Sequence, residues 1–349
     1  MEIKIVRNKQ LDIAQTDTKG YETEKPITFC FVGPRGVGKT SLLASMYYEI
    51  KQSNVMSVKV DALTKIGERT QESLDESHKQ MLNMIEKTPM KGSVDLRLDG
   101  KGIVATQGEN HYEFICEGTV EDTDLTRMSK YKRFRYRCKF IDMPGGWYKD
   151  VKIKDKAKAL EYLKNSAVSF LAIDTPAIME GDNKNKHSNS SEAIANCYDN
   201  VRDELAANKH TVIIVLSRCE RYWNERERML EQLDQYYGSL INRLKAAGVE
   251  VIVTWVKTLG GMEFLQFRKN DDQGYTARFI RVGNYAPENC STPLQLALSR
   301  GIARMRDSIK PGFFFMFDVK KFAIQAAAEI ASELKRRLLT DDKDSFKLL

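Results

Sequence analysis

The stretch FVGPRGVGKTSLL (31–43) sets Gly33, Gly38, Lys39 and Thr40 at the spacing of a phosphate-binding loop. Glycines let backbone N–H groups converge on phosphate oxygens, and the helix that follows offers its positive end. Gly33, Pro34, Arg35, Gly36, Val37, Gly38 and Ser41 are therefore candidate nucleotide contacts. Lys39 would bridge the β- and γ-phosphates, and Thr40 would ligate Mg2+. A second constellation is KFIDMPGGW (139–147). A strand ending in Asp142 suits a carboxylate that holds Mg2+ through water. Gly145 then brings a backbone N–H to the γ-phosphate, which lets a loop sense hydrolysis. DMPG alone is more often a turn; its weight comes from its place after a β-run and downstream of a phosphate loop. Together the two imply phosphoryl transfer to water, since no second acceptor site for a kinase reaction is visible.

Such a loop needs a strand before it and a helix after it. PITFCFV (26–32) is β-rich, and KTSLLASMYYEI is helical in pattern. Residues 62–87 read as a helix with Leu74, Met81 and Met84/Ile85 near one face. HYEFICEG (111–118) and KRFRYRCKFID (132–142) alternate and read as neighbouring strands, joined by EDTD and the residues after it. AVSFLAID (167–174), HTVIIVLS (210–217) and VEVIVTWV (249–256) are short apolar runs of the buried parallel kind. Helical segments near 155–165, 191–208 and 224–247 separate them. The alternation predicts a doubly wound α/β sheet, mostly parallel, with helices on both faces and an antiparallel edge strand. EGDNKNKHSNSS (180–191) and residues 268–289 read as polar surface loops. After Pro311-Gly312, a stripe of Met316, Val319, Ala323, Ala327, Ile330, Leu334 and Leu338 reads as a helix docked on the sheet.

The chain has 349 residues, 42% hydrophobic and 30% charged, as an ordinary soluble globular protein does. A net charge of +7 permits an acidic partner without requiring nucleic acid. Six cysteines with no CxxC pair point to reduced thiols, and four scattered histidines make no metal cluster. No apolar stretch approaches the roughly 20 residues of a membrane span, and the first residues lack the apolar core of a signal peptide. The expected location is the cytoplasm.

The third motif is VLSRCE (215–220), at the end of another apolar run. Here the chain resembles a P-loop GTPase of the translation-factor-related (TRAFAC) class. That class carries Asn/Thr-Lys-x-Asp at this place, its Asp reading guanine donors and its Lys lying over the base. This chain has Ser217-Arg218-Cys219-Glu220 instead. Glu220 can accept the same two hydrogen bonds but is one carbon longer, and Arg218 can cover the base as a flat cation. Adenine remains the other possibility. VKTLGG (256–261) falls where the class places a short base-contacting loop, so the resemblance implies Thr258 and Leu259 as contacts. It also implies a threonine closing over Mg2+ and the γ-phosphate before the second strand; Thr106 is the choice, with Thr88 and Thr126 as further candidates.

FVGPRGVGKTSLLASMY, DMPGG, FLAIDTPAIME and VKTLGG together resemble the double-GTPase group of bacterial conflict-associated GTPases. The resemblance implies a G domain over 26–310 with a helical insertion at about 52–100, flanked by an N-terminal extension (1–25) and a C-terminal helix and tail (311–349). It further implies action beside other components of a defence or stress system, and an output passed to a separately encoded protein. Many GTPases carry Gln directly after Asp-x-x-Gly to orient the attacking water; this chain has Gly146, then Trp147. Hydrolysis is then slow alone or borrows a group from elsewhere. Arg35, in the phosphate loop, is the candidate cis arginine finger, or it points outward to solvent or a partner. A nucleotide-binding module with negligible hydrolysis, and an ATPase, are the alternatives.

RMSKYKRFRYRCK (127–139) also invites a nucleic-acid reading. Phe134, Tyr136, Cys138 and Phe140 would pack on the core while Arg133, Arg135, Arg137 and Lys139 face the other way. Such a row can follow a phosphate backbone, but a solvated or partner-facing edge is the simpler expectation.

Overall fold

In this computed structural model the described residues are 2–6, 16–22, 25–50, 57–60, 64–97, 109–123, 129–147, 153–269, 275–308, 327–333, 336 and 345–349. The first half supplies β1 (Glu2–Val6), β2 (Thr16–Glu22), β3 (Ile27–Val32), α1 (Lys39–Ile50) and β4 (Ser57–Val60). Next come α2 (Lys65–Lys87), β5 (Ser93–Arg97), β6 (Asn110–Thr123), β7 (Ser129–Asp142) and α3 (Ile153–Asn165). β8 (Val168–Asp174) leads into α4 (Thr175–Met179), α5 (Asp182–Asn189), α6 (Ser191–Asp199) and α7 (Arg202–Ala207). β9 (Thr211–Ser217), α8 (Arg226–Ala246), β10 (Glu250–Trp255), β11 (Met262–Lys269), β12 (Tyr275–Arg281), α9 (Ser291–Ser308) and β13 (Phe346–Leu348) complete the chain.

The main sheet runs β1-β6-β7-β3-β8-β9-β10-β13, with β2 beside β7 and β4 beside β6. Its centre, β7-β3-β8-β9-β10, is parallel throughout. β6 lies antiparallel on β7 and β13 antiparallel on β10. Every residue of β8 and β9 is buried, as strands covered on both faces must be. The fold is thus the α/β sheet expected, parallel at its centre, with an antiparallel flank. Phe29, Phe31, Phe140 and Phe170 stack across β3, β7 and β8, with Phe29–Phe140 and Phe31–Phe170 centroids each 4.7 Å apart. This aromatic ladder fixes the strands in register: Phe31 faces Asp142, and Asp174 faces Ser217. Because the strands are parallel and aligned, their carboxyl ends meet at one edge, where an open α/β sheet binds its ligands.

Several local expectations change. The polar stretch at 180–191 is no loop: it holds α5, and Asn189 anchors it by bonding both backbone groups of Asp174. Residues 268–289 contain β12, which pairs with β11 and with β5 of the insertion in a second sheet, β11-β12-β5. Arg278 pairs there with Asp95 at 2.6 Å, while Arg268 and Lys269 are exposed. The β6 and β7 strands run to Thr123 and from Ser129, through most of the expected connection. The basic strand is interior, between β6 and the β2/β3 side, and not an edge. Phe134, Tyr136, Cys138 and Phe140 are buried as expected, while Arg135 and Lys139 lie in register with Glu117 and Glu113. The side chain of Arg133 lies outside what is described. Of the carboxyl-terminal stripe, Ala327 and Ile330 are buried, and Ser299 of α9 donates to the Ala331 carbonyl at 3.0 Å. Its members Met316, Val319, Ala323, Leu334 and Leu338 fall outside the described residues.

Candidate functional site

The phosphate loop leaves β3 at Gly33 and enters α1 at Lys39. Gly36 and Gly38 sit at φ +81° and +89°, a region side-chain-bearing residues rarely adopt, so the loop's turn demands glycine there. Lys39 is buried, and its Nζ donates to the Gly33 and Pro34 carbonyls at 3.0 and 3.1 Å. Burial holds its ammonium below the usual lysine range, with Asp142 pulling it back up. Thr40 Oγ1 donates to Asp142 Oδ2 at 2.7 Å, across 102 residues of sequence. Asp142 is buried; burial raises its carboxyl pKa, while Lys39 and the Thr40 hydroxyl lower it. Its Oδ1 is buried with no hydrogen-bond partner among the described residues. A hard cation bound by one carboxylate, a hydroxyl and phosphate oxygens fits this donor set, which is how Mg2+ usually binds. Among the described residues no group of three or more His, Cys, Asp or Glu could hold a metal on its own.

Gly145 presses the two loops together. A Cβ added there would lie 2.0 Å from the Arg35 nitrogen and 2.3 Å from the Pro34 carbonyl carbon. Pro34 and Val37 are buried with it, whereas the side chain of Arg35 and the backbone of Gly146 are exposed. Ser41 is half-buried at the start of α1. Thr106 and Thr126 lie outside the described residues. Thr88 ends α2, its hydroxyl donating to the Met84 carbonyl at 2.7 Å.

The other end of the site is built from β8, β9 and the segment after β10. Ser217 is turned inward, its hydroxyl donating to the Ile173 carbonyl at 2.9 Å. Arg218 adopts a left-handed φ of +58° and is buried. Its Nη2 donates to the Gly36 carbonyl at 3.0 Å, and its Nε lies 3.1 Å from Asp174 Oδ1. Burial pushes the Asp174 carboxyl up, opposed by Arg218. The Arg218 guanidinium also lies 6.0 Å from the ring centroid of Phe279 on β12. Glu220 Oε1 accepts from the backbone N–H groups of Leu259 and Gly260 at 2.7 and 3.1 Å. Its Oε2 is buried with no partner among the described residues. Burial raises its pKa to about 7, against the pull of these N–H groups and of Arg218. Thr258 and Leu259 are buried beside it.

No protein-family model matches the chain, and no curated protein matches it. Two solved structures of an oligomerised bacterial dynamin pair, described as a mechanism for the long-range sensing and tethering of membranes, are similar to it. Each is 13% identical, with TM-scores of 0.33 and 0.32. The matches cover 91% and 92% of this chain and 50% and 51% of those chains, so this chain spans about half their length. No helix among the described residues is long and apolar enough to cross a membrane.

Three features escaped the sequence reading. Asp174 closes the FLAID run, and its position at the end of a parallel strand was the available signal. Glu109 holds Lys158 at 2.7 Å and the Tyr162 hydroxyl at 2.9 Å, while Lys158 Nζ sits 5.7 Å from the Trp147 ring centroid. This ties the start of β6 to the residue after Gly146, and no spacing rule could have joined them. Finally, a cavity of about 600 Å³ opens beside Thr40 and Ser41, walled by α2 of the insertion.

Proposed function

We propose that the chain is a Mg2+-dependent switch that binds GTP and hydrolyses it to GDP and phosphate. The observation that carries the reading is the meeting of Lys39, Thr40, Asp142 and Gly145 at one sheet edge, with the Asp142 Oδ1 left unpartnered. Backbone N–H groups of the loop from Gly33 to Ser41 hold the phosphates. Lys39 exchanges its two carbonyl partners for β- and γ-phosphate oxygens. Magnesium, when bound, would be held by Thr40 and, through water, by Asp142, and it neutralises charge on those oxygens. Gly145 offers its N–H to the γ-phosphate, and its contact with Pro34 and Arg35 passes loss of that phosphate to the phosphate loop. Thr106 closes over the γ-phosphate.

At the far end Glu220 accepts from guanine through its free Oε2, Arg218 covers the base, and Ser217, Thr258 and Leu259 shape the pocket. Gly146 carries no side chain to orient water, so turnover is slow unless Arg35, exposed at the loop, or a partner supplies the missing group. Residues 26–310 form the GTPase domain, with 1–25 and 311–349 as flanking extensions that add β1, β2 and β13 to its sheet. The resemblance to conflict-associated GTPases supports a place in a bacterial defence or stress system, in the cytoplasm. There the chain acts beside a separately encoded effector or as a homo-oligomer.

Titration with labelled GTP and ATP in the presence of Mg2+, beside Lys39→Ala, tests this. The expected result is GTP binding lost in the variant and phosphate release above it. Binding without release supports the second reading, a non-hydrolysing interaction module, which the missing side chain at Gly146 favours. Preference for ATP overturns the guanine assignment. Failure of folded wild-type protein to bind either nucleotide overturns the switch.

A further inference from the structure

The insertion after α1 does not stand apart from the site. Its helix α2 packs against α1 and against β6, and its strand β5 joins the hairpin β11–β12 that leaves the Leu259 segment. Arg281 of β12 donates to the carbonyls of Glu86 and Thr88, fastening the end of α2 to that hairpin. The cavity of about 600 Å³ lies between these parts, within the range of small-molecule sites. One end is Thr40 and Ser41, the first turn of α1, where a nucleotide's phosphates must end. Leu259, whose N–H is held by Glu220, is also in its wall. Ser77, Gln80 and Met84 of α2 line it as well.

The wall therefore mixes hydroxyl, amide, apolar and charged groups, Glu76, Lys87 and Asp95 among the last, between the phosphate loop and the Leu259 segment. That mixture suits a nucleoside, whose ring faces are apolar and whose sugar carries hydroxyls. The phosphate loop alone needs no such wall, since its donors are backbone groups.

Resting on the functional reading above, we infer that this cavity takes the nucleoside half of the nucleotide, with α2 as its outer wall and Ser77 and Gln80 as its polar contacts. The insertion is then a specificity element of the nucleotide site, and nucleoside recognition is shared between α2 and the Leu259 segment that Glu220 holds.

Ser77→Trp, which fills the cavity, tests this beside Lys79→Trp, which places the same ring on an exposed position of α2 outside the cavity. GTP is titrated with Mg2+ into the full-length proteins, and circular dichroism checks the fold. In parallel, wild-type protein is photolabelled with 8-azidoguanosine triphosphate and the labelled peptide is mapped. The expected result is a loss of GTP affinity of about tenfold or more in Ser77→Trp only, with label within residues 73–87. If Ser77→Trp does not fold, the label position decides alone. GTP binding that survives Ser77→Trp unchanged, or label confined outside 73–87, overturns the inference while leaving the GTPase reading intact. Absence of GTP binding by the wild type removes both.

Discussion

The two ends of the site are built by opposite means. At the phosphate end, residue types and spacing are those the chemistry asks for: Lys39 bonds carbonyls five and six residues away, and the Thr40–Asp142 bond joins two motifs that are each local in sequence. At the base end the expected residue types are replaced, and long-range contacts hold the replacements. Arg218 reaches 182 residues back to Gly36, and Glu220 bonds the loop 39 and 40 residues ahead. A backbone cradle is specified by glycines and tolerates little change. A side-chain pocket can be rebuilt from other residues, provided each buried charge finds a partner.

The largest loss of nucleotide affinity from a single change should fall at the phosphate end. Gly145→Ala sets a methyl 2.0 Å from the Arg35 nitrogen, and backbone cannot yield as a side chain can. The loops must separate, at about 1–3 kcal/mol of stability. A backbone donor moved out of reach of a charged phosphate oxygen forfeits about 1.5–3 kcal/mol, an affinity loss of about tenfold to hundredfold. Nucleotide titration and urea unfolding read the two effects. Wild-type binding by this variant would mean the contact between the loops is incidental.

Glu220→Gln tests the base end. The amide oxygen still accepts from Leu259 and Gly260, so the loop should stay in place, but the charge proposed to attract guanine donors is gone. The expected loss of GTP affinity is about tenfold to hundredfold, as for a hydrogen bond to a charged group, with ATP binding little changed. Equal losses for both nucleotides would deny this end its role in choosing the base.

Glu220 also gives the base end a pH response. Its pKa rises from an ordinary 4.5 to about 7 on folding. Between those values the folded protein holds more protons on this group than the unfolded chain does. Its contribution to stability is therefore fully present below the unfolded value and lost as pH rises through about 7. On the proposed reading ligand affinity runs the other way: the Glu220 carboxylate would be the acceptor for guanine, so GTP binding should strengthen across the same interval. Glu220→Gln should flatten both profiles. Calorimetry and titration from pH 5.5 to about 8 check the pair; parallel slopes would break the assignment.

Legibility in the sequence follows the same divide. The central parallel strands were visible because buried strands read as continuous apolar runs, and the loop from Gly33 to Lys39 because its glycines fall at a fixed local spacing. Asp142 was legible for the same reason. The hairpin β11–β12 was hidden because its charged residues, such as Arg278, are paired with partners like Asp95, which lies 183 residues away. β13 was hidden because three residues at the edge of β10 carry no periodicity. The partners of Arg218 could not be read at all, since Asp174 and Gly36 come together only once the strand order is set. The role of α2 as a cavity wall was hidden likewise: its amphipathic pattern showed a buried face but not what lay across the other.

The smallest expected effect separates shape from charge within the base end. Arg218→Lys keeps the cation but removes the planar fork that spans Asp174 and the Gly36 carbonyl together. A lysine ammonium can serve one of the two well, and the neutral loss is about one hydrogen bond, about 1 kcal/mol. Asp174 keeps a cation nearby, so the larger penalty of a stranded buried charge is avoided; Arg218→Met incurs it and should cost more, about 3–5 kcal/mol. If the fork is what ties the base end to the phosphate loop, the lysine variant loses GTP affinity several-fold while the unfolding midpoint barely moves. A lysine variant as unstable as the methionine one would instead mean that the guanidinium's role is to hold β8 and β9 together, with the nucleotide a bystander.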